Sequence, residues 1–215
     1  MNSAVSVALL GFLLGVRHAV DPDHVVAIGT IATRTTSFRR AASVGALWGI
    51  GHTLTILVVG GGIILLRVAI SPRVSLAMEF AVAIMLIILG LQNVASARHA
   101  SPSEPSAARP FIVGMVHGMA GSAAVVLLVL ATVRQPAMAF AYLVLFGLGT
   151  VIGMVIVTAI IAAPAALAVN RVRNARRWLT LASGVASVML GVMLANELTD
   201  ASGGLFPDAP AWTPR

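Results

Sequence analysis

The sequence predicts an all-α membrane protein that crosses the bilayer about six times. Of its 215 residues, 59% are hydrophobic and only 10% are charged, whereas soluble domains carry about 25% charged residues. The mean hydropathy is +0.98. Apolar stretches long enough to cross the hydrocarbon core as a helix recur six times. They lie at roughly 3–33, 41–66, 75–96, 111–132, 137–165 and 178–198.

The first stretch contains a polar segment that is expected to break its helix. Residues 17–24 read RHAVDPDH. Pro22 cannot donate to the carbonyl of His18, and it disfavours helical backbone at the residue before it. An Asp followed by Pro is also typical of a helix N-cap with Pro at the first helical position. We therefore expect the first helix to break near Pro22, which frees Asp23 to turn toward the two histidines. Because the stretch lacks the basic start and the cleavage site of a signal peptide, we expect it to be retained.

The later stretches resemble the earlier ones, in order, at an offset of about 99 residues. The matching segments are Gly15 to His18 with Gly114 to His117, Leu47 to Gly51 with Leu145 to Gly149, and Leu89 to Leu91 with Leu190 to Val192. A unit of three spans ends on the side of the membrane opposite to where it began. A direct repeat of that unit therefore enters the membrane from the other side. The sequence thus predicts two inverted three-helix repeats, a class in which transport sites lie near the midplane. Shared glycine spacing for helix packing is the alternative.

This repeat divides the chain into four parts. They are a first repeat at 1–97, a cytoplasmic loop at 98–110, a second repeat at 111–199 and a flexible tail at 200–215. Nine arginines lie in the loops after the first, third and fifth stretches, against four on the opposite side. The positive-inside rule then predicts a multi-pass protein of the cytoplasmic membrane with both termini outside the cytoplasm. Because these arginines are scattered between apolar stretches, the net charge of +7 does not indicate nucleic-acid binding.

Ionisable side chains at membrane depth predict a cation site. One charged side chain at the centre of a span costs about 2.5 to 3.5 kcal/mol, so such residues are functional candidates. The chain has no cysteine, so a soft-metal site must use His or Met. Asp21 could also serve only as a cap, and a single buried His usually makes only a hydrogen bond. We predict a divalent transition metal as the bound partner and no resident cofactor. The candidate ligands are His18, Asp21, Asp23, His24, His52 and His117.

Two of these motifs resemble the nickel/cobalt permease family. His18-x4-Asp23-His24 is similar to the family signature, and Gly-His-Thr at residues 51–53 resembles its Gly-His-Ser/Thr element. The ligands for Ni²⁺ or Co²⁺ that this resemblance implies are His18, Asp23, His24 and His52, with Asp21 at the motif's acidic spacing position.

The chain also departs from typical members of that family. Its signature lies in the first span instead of the second, and the later motif containing Phe-Asp-Thr-Ala is replaced by VHGMAGS at residues 116–122. In both respects it resembles the shorter members associated with urease accessory functions. These departures leave the substrate and the coupling ion open.

The predicted function is a secondary transporter of Ni²⁺ or Co²⁺, not an enzyme. Imidazole ligands suit these metals, and selection must come from geometry and ligand number. Efflux relatives often carry a His-rich loop, and 98–110 contains only His99, which favours import. A P-loop is absent from the sequence, so ATP hydrolysis by this chain is not expected. The alternatives are an efflux permease, an intramembrane metalloenzyme or serine protease, and a haem-binding subunit that uses His52 and His117. A homo-oligomer or an accessory partner is left open.

Overall fold

Seven α-helices make up the regular structure of the described residues. The computed structural model describes residues 3–35, 37–66, 71–97, 106–132, 135–169 and 175–201. The helices are α1 (Ser3–His18), α2 (Pro22–Ala32), α3 (Phe38–Leu66), α4 (Pro72–Ser96), α5 (Ala108–Thr132), α6 (Pro136–Val169) and α7 (Ala175–Ala201). The prediction of an all-α fold is confirmed. The helix α5 begins two residues before the end of the predicted loop, and most of that loop and of the predicted tail lies outside the described residues.

Several of these helices have the length and composition of membrane spans. Among the described residues, α3, α4, α6 and α7 are each long and apolar enough to cross a bilayer, and the pair α1 and α2 adds a fifth span if it is counted as one. The chain is therefore a multi-pass membrane protein. Many large apolar side chains remain exposed on the outside of the bundle, among them Leu13, Val58 and Met189. Such a surface suits contact with lipid.

The break between α1 and α2 falls where the sequence predicts it. The first helix ends at His18, the second begins at Pro22, and the two axes differ by 56°. Asp21 occupies the N-cap position of α2 with extended backbone, but its side chain makes no capping hydrogen bond. The carboxylate is thus free for another partner.

The helix α2 is enclosed by the rest of the bundle. Residues 27–32 are all buried, and α2 contacts every helix from α3 to α7. Around it, α3 packs most extensively on α5 and α6, α1 packs on α6, and α4 packs on α7. The C-terminal part of this half-helix is therefore held inside the protein, whereas Pro22 at its N-terminal end is exposed.

Glycines allow the closest helix contacts, and these contacts recur in the two halves. At four of these glycines an added Cβ would approach a backbone carbonyl oxygen of the facing helix most closely and would overlap it. The four contacts are Gly15 with Phe146, Gly114 with Trp48, Gly51 with Phe111, and Gly149 with Phe12. Each contact between α1 and α6 thus has a counterpart between α5 and α3, at sequence offsets of 99 and 98 residues.

Candidate metal site

Four histidines from four different helices meet inside the bundle. The ring centres of His18 and His24 are 4.5 Å apart, and each of these rings lies 5.1 Å from the ring of His52. His117 joins the group through His24, at 4.9 Å. His24, His52 and His117 are buried, whereas the His18 side chain remains 16% exposed. The structure thus brings together all four histidines that the sequence predicts for the site. His99 lies outside the described residues.

Local sequence explains how these side chains reach one another. His18 is the last residue of α1 and His24 lies in the first turn of α2, so the break at Pro22 brings the two rings together. His52 and His117 come from the middle of α3 and α5. Those helices touch closely there, because a Cβ at Gly118 would lie 2.6 Å from the carbonyl oxygen of His52.

The two predicted carboxylates contact imidazole nitrogens. Asp21 Oδ2 lies 2.7 Å from Nδ1 of His18, and Asp23 Oδ1 lies 3.0 Å from Nδ1 of His24. The other oxygen of Asp23 is 3.7 Å from Nε2 of His117. Metal-binding histidines usually donate one ring N–H to a carboxylate, which fixes the tautomer and leaves the other nitrogen free to bind metal. The contacts of Asp21 and Asp23 match that arrangement.

Several ring nitrogens in this cluster are buried without a hydrogen-bond partner in the described part of the chain. Buried polar atoms normally have a partner, so each such nitrogen marks a place where a ligand is expected. The atoms are Nε2 of His18, Nε2 of His24, and both ring nitrogens of His52 and of His117.

The geometry permits two sets of three ligand atoms, each set within 4.8 Å. The first set comprises His18, His24 and His52, and the second comprises Asp23, His24 and His117. Two imidazole nitrogens bound to one ion at about 2.1 Å each are at most about 4.2 Å apart. Side-chain shifts of less than about 1 Å are therefore enough to close either set around a cation.

Two aromatic side chains enclose the cluster, and the sequence did not assign them to the site. The buried Trp48 ring lies 5.0 Å from the ring of His117 and 6.2 Å from that of His24, and Phe146 lies 5.4 Å from His18. Both residues occur in the repeat match, which was the available signal. Trp48, from the first half of the chain, thus contacts a histidine of the second half, and Phe146, from the second half, contacts a histidine of the first.

A polar network that sequence reasoning missed connects α2 to α4 and α7. The side-chain amide of Asn93, which is fully buried, donates to the carbonyl oxygen of Thr30 at 2.8 Å and to Ser183 Oγ at 3.1 Å. A polar amide inside an apolar span was the available signal. This network holds the far end of the helix whose N-terminal end carries His24.

Fold and site together define a multi-pass membrane protein with an internal cluster of histidine and aspartate side chains that could hold a metal ion. The family model described as high-affinity nickel-transport protein (NicO) matches residues 4–186. The chain belongs to this family, which confirms the nickel/cobalt permease resemblance of the sequence motifs.

Three curated relatives extend this comparison. The urease accessory protein UreH of Bacillus sp. (strain TB-90) is 34% identical over 219 residues, which cover 94% of this chain and 95% of UreH. Two Arabidopsis thaliana proteins, chloroplast proteins FOR GROWTH AND FERTILITY 2 and 1, are 26% and 27% identical over 87% and 86% of this chain. The matches cover 55% and 57% of those two longer proteins. No solved structure matches the chain significantly.

Proposed function

We propose that this chain is a secondary transporter that imports Ni²⁺ or Co²⁺ through the cytoplasmic membrane, with the ion bound by His and Asp side chains near the midplane. The observation that carries this proposal is the meeting of four imidazoles from four helices, with six buried ring nitrogens that lack partners in the described residues. Neutral imidazole is a ligand that Ni²⁺ and Co²⁺ accept. Membership of a nickel-transport family supports the same substrate class.

The proposed architecture has six spans in two inverted repeats. The bent pair of α1 and α2, then α3 and α4, would form the first repeat, and α5, α6 and α7 the second. Two observations support it: the glycine contacts recur between the halves, and α5, with 25 residues, is about 37 Å long at 1.5 Å per residue. In this arrangement the histidine cluster lies where the two repeats meet, as transport sites do in other inverted-repeat transporters.

The proposed orientation and direction come from the sequence. The excess of arginine in the loops after the first, third and fifth spans supports termini outside the cytoplasm. The single histidine of the 98–110 segment supports import over efflux. A role in supplying metal to an enzyme would also fit the accessory function in the name of the UreH relative.

Uptake of radioactive metal tests this proposal. Cells that express the chain should accumulate more ⁶³Ni and ⁵⁷Co than cells without it, and replacing both His18 and His24 by Ala should reduce the gain at least about tenfold, because each is a direct ligand candidate. His99→Ala serves as the control, since the sequence places this residue in a loop. Unchanged accumulation in the His18→Ala, His24→Ala double variant, at equal protein level in the membrane, contradicts the proposed role of the cluster.

A further inference from the structure

We propose that the histidine cluster holds one metal ion at either of two positions that share His24, and that transport passes the ion from one position to the other. The first position comprises His18, His24 and His52, and the second comprises Asp23, His24 and His117. This inference rests on the proposed transport function and adds how the ion moves through the site.

His24 is the only residue common to both sets of ligand atoms, and its two nitrogens have different surroundings. Its Nδ1 lies 3.0 Å from Asp23, whereas its Nε2 is buried without a hydrogen-bond partner in the described residues. His24 thus presents one nitrogen on the side of Asp23 and another that remains available for the three-imidazole set. Asp23 Oδ2 also lies 3.7 Å from Nε2 of His117, so this one carboxylate contacts both imidazoles of the second set.

Both positions cannot be filled together. They compete for His24, because a neutral imidazole has only one ring nitrogen with a free lone pair. Two divalent ions a few ångströms apart inside a protein of low dielectric would also repel each other strongly. When the ion moves, it releases the lone pairs of His18 and His52 and accepts those of Asp23 and His117. Where the ion turns from one ring nitrogen of His24 to the other, the single ring proton passes to the nitrogen that the ion leaves. Its oxidation state does not change, and the ion exchanges an imidazole for a carboxylate.

The two positions lie toward different ends of the cluster. His18 packs against Phe146, and His117 packs against Trp48. These two pairs occupy equivalent places in the repeat, so in an inverted arrangement they lie on opposite sides of the midplane. The His18 side chain is 16% exposed and that of His117 is 1% exposed. At the second position the partly exposed ligand is Asp23, whose side chain is 34% exposed. Each position therefore has one partly exposed ligand beside two buried imidazoles.

Binding of Co²⁺ to the purified full-length chain in detergent tests this inference, because the visible absorption of Co²⁺ reports its ligands. His117→Ala leaves the three imidazoles of the first position, and His52→Ala leaves the second position complete. Each variant should still bind one Co²⁺. The absorption bands of His52→Ala should lie at lower energy, since a carboxylate is a weaker-field ligand than an imidazole. His24→Ala, which removes a ligand from both positions, should weaken binding about 100-fold or more.

Uptake by the same variants completes the test. Both His52→Ala and His117→Ala should lose at least about tenfold in ⁵⁷Co uptake although they still bind the ion, because each lacks one of the two positions. His99→Ala is again the matched control. If an Ala variant does not accumulate in the membrane, the Gln variant at the same position is tested in its place, because Gln fills the space without supplying an imidazole.

The possible results separate the two proposals. If His52→Ala and His117→Ala lose Co²⁺ binding as completely as His24→Ala, or show identical spectra, the ion has a single site and the two-position inference is wrong. It is also wrong if His117→Ala leaves binding and uptake unchanged. A wild-type chain that neither binds Co²⁺ nor takes it up overturns the proposed function itself.

Discussion

Replacing Gly51 by Ala is expected to lower the melting temperature of the purified protein by roughly 6–12 °C. A Cβ at Gly51 would overlap the carbonyl oxygen of Phe111. This oxygen belongs to the backbone of a helix, so it cannot move away as the end of a flexible side chain can. The helices α3 and α5 must then separate, which places the cost at the upper end of overpacking, about 3 kcal/mol. For a chain of this size, each kcal/mol corresponds to roughly 2–4 °C. Thermal unfolding followed by fluorescence or by loss of the monodisperse chromatographic peak measures the shift.

Two further glycine variants show whether the close contact causes this loss. Gly62→Ala, in the same helix, adds a Cβ that meets nothing within 4 Å, so stability should stay the same or rise by up to about 1 kcal/mol, the difference in helix propensity. Gly149→Ala, the repeat equivalent, would overlap the carbonyl oxygen of Phe12 and should cost as much as Gly51→Ala. If Gly62→Ala destabilises as strongly as Gly51→Ala, the effect does not come from the helix contact.

Local chemistry explains why the all-α fold and the break in the first span could be predicted from sequence. Helices in lipid must satisfy their own backbone hydrogen bonds, so a long apolar stretch is almost sufficient to predict one. The break at Pro22 is equally local, because Pro lacks an N–H and constrains the residue before it. What the pattern could not show is that α2 is enclosed by five other helices, since its residues are as apolar as those that face lipid.

The site could be predicted as a set of residues but not as a geometry. Residue type and membrane depth indicated His18, His24, His52 and His117, and the structure brings them together. Neither spacing nor composition indicates which ring nitrogen a carboxylate contacts. For Asp21 the sequence left capping and a role in the site open, and the structure shows it at the N-cap position without a capping bond, against His18 instead.

Tertiary packing also determines which apolar residues belong to the site. Trp48 and Phe146 resemble ordinary span residues, and only the folded chain places their rings against His117 and His18. Asn93 likewise acquires its role through Thr30 and Ser183, which are distant in sequence. Such contacts depend on several helices at once, so a single stretch of sequence does not reveal them.

Replacing Asp23 by Asn is expected to reduce Ni²⁺ and Co²⁺ uptake on the order of 100-fold, because Asp23 is a candidate ligand as well as a partner of two imidazoles. Asp21→Asn should reduce uptake only about tenfold, at the lower end of the range for carboxylates that support metal-binding histidines. Asp23 contacts two imidazoles, at 3.0 Å from His24 and 3.7 Å from His117, and its side chain is 34% exposed. Asp21 contacts His18 alone, and its side chain is 45% exposed. The more buried carboxylate should therefore contribute more to balancing the charge of a divalent ion, since burial reduces screening by water.

The chemistry of the amide makes Asn a specific test of the role of Asp23. It preserves the volume of Asp23 and can still accept from the Nδ1–H of His24, so the fold should survive. Its NH₂ group, however, would face Nε2 of His117 and could donate to it, which occupies the lone pair that a metal needs. Uptake assays and Co²⁺ titration of both Asn variants at equal protein level measure the difference. If Asp21→Asn impairs uptake as much as Asp23→Asn, the contact with His117 has no special role, and both carboxylates act only on the ring beside them.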